Sequence, residues 1–166
     1  WLEMHPDSQF DSSLAYLAPG KAVRPRSVKL VRDIRFLDPA CGSMHFGLVA
    51  FDLFAAMYRE ELRNEGKTGW PTQASIASED EIPAAIIRHN LYGIDIDLRA
   101  VQLSALTLFL RAKSMNSACL FTERNLACAN IQHITGGRLD GFVKAASWTH
   151  PIQKRIVTAL AEQLAD

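Results

Sequence analysis

Two acidic residues carry the most legible chemistry in this chain. Asp38 closes a short apolar run (Phe36, Leu37) and precedes Pro39-Ala40-Cys41-Gly42-Ser43, a tight turn of small residues; a long amphipathic stretch follows. Strand, sharp loop and helix in that order build a cradle for a nucleotide-like ligand at the carboxyl end of a strand in an α/β sheet. Small residues belong there because the backbone must pass close to the ligand. Asp95 closes a second such run, Asn90-Leu91-Tyr92-Gly93-Ile94-Asp95. In parallel sheets an acid at that point receives the ribose hydroxyls of a bound nucleotide. One carboxylate accepts both with its two oxygens. An acid between Ile94 and Ile96 in a buried strand would otherwise be costly. Asp97, just before the next helix, reads as an N-cap rather than a ligand.

Other reactive groups are less organised. Cys41 and His45 lie four apart, a spacing that can put two metal ligands on one helical face. No further Cys or His completes the set of four that such a site normally needs, so no metal is expected. His89, His133 and His150 have no partners readable from sequence and read as structural or exposed. Arg24, Arg26, Lys29, Arg32 and Arg35 form a modest basic cluster. Asp33 interrupts it, so it reads as a solvated face rather than a nucleic-acid track.

The elements that must position the two acids follow from periodicity. A strand centred on Ile34 to Leu37 leads into Asp38. From Ser43 to about Arg63, Phe46, Val49, Ala50, Leu53, Phe54 and Met57 recur at helical spacing. Gly66, Gly69 and Pro71 close that helix. A second helix is expected from about Glu81 to His89. Capping by Asp80 is preferred over Ser78, because it places Pro83 in the first turn, where no N–H partner is needed. A strand over 90–95 then feeds a helix from Leu98 to about Ala112. A weaker third strand lies around Asn125 to Ala129. Residues 1–27 are irregular, broken by Pro6, Pro19, Gly20 and Pro25, with one possible helical turn at Leu14 to Leu17. Beyond residue 130, Gly136-Gly137 mark a turn, and Ile156, Leu160 and Leu164 describe a last amphipathic helix. The expected organisation is a lead-in over 1–27, an α/β subdomain over 28–130 and a helical extension over 131–166.

Bulk properties narrow the function classes. The 166 residues are 48% hydrophobic and 22% charged, an ordinary soluble globular composition. Lys+Arg and Asp+Glu both number 18. A free-standing nucleic-acid-binding protein would show a basic excess, so any such contact is local or made elsewhere. Three cysteines with no CxxC pair argue against a disulfide framework and suggest a reducing cytoplasm. No apolar run approaches a membrane span. The chain opens at Trp1 without an initiator methionine or leader and reads as a piece of a longer protein.

Phe36 to Phe46 together with Asn90 to Leu106 resemble motifs I and II of the S-adenosylmethionine-dependent adenine-N6 DNA methyltransferases. The resemblance is strongest to the large type IIG-like and BREX phage-defence (PglX-type) enzymes, whose lead-in to motif I is similar to Trp1-Leu-Glu-Met-His-Pro-Asp-Ser. It spans roughly residues 1 to 130. It implies a partial Rossmann-like class I methyltransferase fold, a central parallel sheet with flanking helices. It implies that Asp38, Pro39, Ala40, Cys41 and Gly42 wrap the methionine part of S-adenosylmethionine, with Phe46 walling the pocket. Asp95 would hold the ribose, Ile96 would pack on the adenine ring and Asn130 would meet the adenine amino group. The reaction implied is methyl transfer to the exocyclic amine of a flipped adenine, with DNA and other defence-system proteins as partners.

Two departures stand out. The family commonly has glycine where this chain has Met44, and a methionine side chain must enter the pocket or push the helix start away. Overpacking of this kind costs about 1–3 kcal/mol. None of the seven prolines is followed by another, so the catalytic Asn/Asp-Pro-Pro-Tyr/Phe motif is absent from the chain. No catalytic residue is therefore assigned within it. The rival readings are an NAD-dependent oxidoreductase, for which the G-x-G-x-x-G pattern is missing, and a non-catalytic binding or regulatory module that has lost the cofactor through Met44.

Overall fold

A computed structural model describes residues 1–10, 27–120 and 125–129. Three short strands, β1 (Phe36–Asp38), β2 (Leu91–Asp95) and β3 (Leu126–Cys128), form one sheet in the order β1-β2-β3. Both pairings are parallel: Asp38 aligns with Gly93, and Asp95 with Cys128. The two sequence-marked acids thus end neighbouring parallel strands, as the strand–loop–helix reading requires.

Helix α1 (His45–Asn64) and α2 (Ile82–Ala85) lie in the first crossover, and α3 (Leu98–Met115) lies in the second. Arg111 of α3 bonds Asp52 of α1 through both Nε and Nη2 and stands over the Phe51 ring, so the two long helices lie side by side. Parallel strands joined by successive crossovers in one direction put their helices on a common face. The core fills the space between: Phe51, Phe54, Ala55 and Tyr58 from α1 meet Ile82, Ile86, Ile87, Leu91, Leu108 and Ala112.

Local chemistry shifts several element ends. α1 begins at His45, later than Ser43, because Met44 at its N-cap is left-handed (φ 68°, ψ 32°). The expected Asp80 cap is not formed. Glu79–Glu81 make a 3-10 turn behind an extended Ser78, and α2 starts at Ile82 without a side-chain cap. The turn's own backbone bonds, Glu81 N–H to Ser78 O and Ile82 N–H to Glu79 O, replace the cap. Pro83 still falls in the first turn. α2 runs on into a single π-turn, Ile86–Asn90. That turn delivers the fully buried Asn90 side chain to three partners: it accepts from the Tyr58 hydroxyl and donates to the carbonyls of Val31 and Ile34.

Two glutamates on α1 are also buried. Glu60 accepts from Trp1 Nε1, Ser8 Oγ and the Gln9 amide, fastening residues 1–10 to the helix. Glu61 accepts from the amides of Val31 and Ser75. Residues 11–26, 121–124 and 130–166 are outside the description, and with them Leu14 to Leu17, Arg24, Arg26, Asn130, His133, Gly136, Gly137, His150 and the helix expected from Ile152.

Candidate functional site

The turn after β1 is fastened from three directions. Within it, the Ala40 amide donates to Asp38 Oδ1 (3.2 Å) and the Met44 amide to Cys41 O (2.7 Å). The Cys41 amide donates to Ile94 O (2.9 Å), tying the turn to β2. The Gly42 amide donates to Asp95 Oδ2 (2.9 Å), and the hydroxyl of Ser104 on α3 donates to Gly42 O (2.6 Å). Gly42 is left-handed (φ +51°), and the space its missing Cβ would occupy is open. Glycine takes that conformation without steric cost and leaves the backbone approachable.

Asp95 stands at the centre. Its Oδ1 accepts from the Asp97 amide at 2.9 Å, so each oxygen holds a backbone donor, and the Ile96 amide adds a weaker contact. These bonds, Asp97's first and Gly42's second, hold its carboxyl below the usual carboxylate range. The acid is therefore a fixed anion. Asp97 caps α3 as expected: its Oδ1 accepts the Arg99 amide at 2.8 Å, and the guanidinium lies against the same carboxylate. Asp38 differs from both. Its Oδ2 is buried and has no hydrogen-bond partner among the described residues. An acceptor left in that state calls for a donor from a ligand or water.

The remaining assigned residues divide into two groups. Ile96, 72% exposed, follows Asp95 directly, with its carbonyl 3.6 Å from Cys128 Sγ. Cys41 is buried against Ser104, whereas His45 is exposed, with its Nδ1 3.0 Å from Ser43 Oγ. Phe46, 76% exposed, lies with Asp38, Pro39, Leu37 and Val49 along an apolar groove of about 530 Å³ between β1 and α1. That groove touches Asp38 and Pro39 but not Gly42, Asp95 or Ile96. In that groove Phe46 shares a wall with the first acid.

Met44 is placed differently from either alternative read from the sequence. Its side chain is fully enclosed in the core and lies over Gly47, where an added Cβ would come within 2.5 Å of Met44 Cγ. Gly47 makes the room that Met44 takes. The feature that favours glycine at position 44 is the left-handed backbone, not a side chain projecting into the cradle.

Sequence reasoning missed Ser104 and Gly93. Gly93 in β2 has Leu126 Cδ2 at 2.8 Å and Cys41 Sγ at 3.1 Å from where a Cβ would stand, so its lack of a side chain lets the turn close onto the strand. Ser104 was legible as the one polar member of the row Ser104, Leu108, Ala112 on the buried face of α3.

The described residues thus form a parallel α/β sheet with a left-handed glycine turn after the first strand, bonded to an acid at the end of the second. Residues 23–137 match the DNA-methyltransferase domain of MmeI, and the chain belongs to that family. It is 32% identical over 124 residues to the adenine-specific methyltransferase BrxX of Escherichia coli O9:H4 (strain HS), a match covering 68% of this chain and 9% of that protein. It is 34% identical over 90 residues to the adenine-specific methyltransferase PglX of Lacticaseibacillus casei (strain Zhang), covering 54% of this chain and 6% of that protein. The chain thus spans under a tenth of the length of these curated relatives.

Proposed function

We propose that this chain binds S-adenosylmethionine and is the cofactor-binding part of an adenine-N6 DNA methyltransferase of the PglX type, acting in restriction or phage defence. The fold assigned to it is a partial Rossmann-like class I methyltransferase fold, with residues 28–130 as the cofactor subdomain. The single observation that carries the reading is Asp95, fixed by backbone amides on both of its oxygens beside an open, left-handed Gly42. That geometry suits the vicinal hydroxyls of a ribose.

The other residues fit the same ligand. The orphaned Asp38 Oδ2 is an acceptor suited to an ammonium group, and the exposed Ile96 offers an apolar face to an adenine ring. Asn130 is assigned to the adenine amino group on the resemblance alone. When bound, S-adenosylmethionine supplies an electrophilic methyl on a sulfonium. The chain's own contribution is to bind and orient it, since placement supplies much of the rate in such transfers. Base extrusion and readout fall to other regions of a longer enzyme, with DNA and other defence proteins as its partners. Met44, lying in the core, gives no ground for the rival reading of a module that has lost its cofactor.

Calorimetric titration with S-adenosylmethionine, with NAD as the comparison, tests the proposal. Saturable one-to-one binding of S-adenosylmethionine and none of NAD is expected. Absence of heat with the first, or equal binding of the second, would overturn it.

A further inference from the structure

Gly42 is held at both of its backbone polar groups by residues outside its own turn. Its N–H reaches Asp95 at the end of β2, and its carbonyl receives the Ser104 hydroxyl from α3 at 2.6 Å. Ser104 is completely buried. A buried serine within a helix ordinarily satisfies itself on its own backbone one turn back, whereas this one bonds across to the turn. Its single proton is committed to Gly42 O, so in the 3.7 Å contact with Cys41 Sγ the thiol is the donor. Thiol, hydroxyl and carbonyl form a short directed chain beneath the turn.

We propose that Ser104 is a positioning residue for the methyl-donor site: by holding Gly42 O it fixes the turn so that the Gly42 amide stays on Asp95. The inference rests on the reading of that site given above. Glycine has wide conformational freedom, and the two bonds select one state from it. Without the hydroxyl, the carbonyl is released, the turn can rotate, and the acid loses the Gly42 amide that helps orient it towards a ribose diol. Ser104 touches no ligand in this account; it acts through Gly42.

The test compares the 166-residue chain with Ser104→Ala and Ser104→Thr by calorimetry with S-adenosylmethionine and by the Gly42 amide resonance. In the parent that resonance should follow the titration of the Asp95 carboxylate. Ser104→Ala should weaken binding roughly three- to tenfold, the loss of one net hydrogen bond, and uncouple the Gly42 amide from the titration. Ser104→Thr, which keeps the hydroxyl, should restore both. If the extra methyl unfolds that variant, Ser104→Cys, with its weaker donor, should fall between parent and alanine. A Ser104→Ala protein that is merely less stable, with parental affinity and an unchanged Gly42 amide, would overturn the proposal. If the parent itself binds no S-adenosylmethionine, the ligand reading fails. The Gly42 amide then decides the positioning role alone, and an unchanged resonance in Ser104→Ala refutes it.

Discussion

At Met44, conformation and packing oppose one another. A left-handed backbone costs a non-glycine residue about 1–2 kcal/mol, while truncating a buried methionine costs about 2–5 kcal/mol. Packing wins. Met44→Gly should therefore destabilise the protein by about 1–3 kcal/mol in denaturant unfolding and leave cofactor affinity unchanged; a more stable variant would show that strain dominates. The same contact makes a prediction from the other side. Gly47→Ala gains about 1 kcal/mol of helix propensity, yet its Cβ would collide with Met44. A net loss of about 1–2 kcal/mol is expected from overpacking, relieved when Met44→Ala is added, because the two positions are coupled. From sequence, position 44 was visible as a departure but its cause was not. A missing glycine signals either backbone or side-chain trouble, and only φ together with burial tells which.

Elements were legible where local rules decide them. The strand–loop–helix around Asp38, the strand ending at Asp95 and the Asp97 cap all follow from short-range patterns, and all are present. The π-turn at Ile86–Asn90 and the buried Glu60 and Glu61 were not legible. Their partners lie many residues away, and periodicity carries no information about a carboxylate's distant amide donors. Asn90 shows how much such links matter: Asn90→Leu would strand the Tyr58 hydroxyl and two carbonyls. A loss of about 3 kcal/mol or more is expected in thermal or denaturant unfolding.

The N-terminal segment should add a pH dependence. His5 is buried, stacks on Trp70 with ring centroids 3.9 Å apart and bonds Gly69 O. Burial holds its pKa below the usual 6.5, with the Gly69 bond and then Asp7 and Glu60 opposing this less strongly. As the pH falls, the unfolded chain takes the proton first. The contribution is complete above pH 6.5 and declines as the pH drops from there through the lowered value. Unfolding free energies at pH 7.5 and 5.5 should differ more for the parent than for His5→Phe. Equal differences would show that His5 is not the group responsible.

On the scale of the whole molecule, no proline of the chain is followed by another, so the motif that would hold a target amine is absent from these 166 residues. Incubated with labelled S-adenosylmethionine and adenine-rich duplex, it should transfer no methyl group to DNA. Label above a no-protein control would mean that catalytic residues lie within these 166 positions. Among the described residues no helix is long and apolar enough to cross a membrane. Mapping amide resonances during titration with S-adenosylmethionine locates the binding site. The largest shifts should fall on Ala40, Gly42, Ile96 and Asp97, and Asp95→Ala should abolish them at the same ligand concentration. Shifts confined to other segments, or a pattern unaltered by Asp95→Ala, would contradict the account.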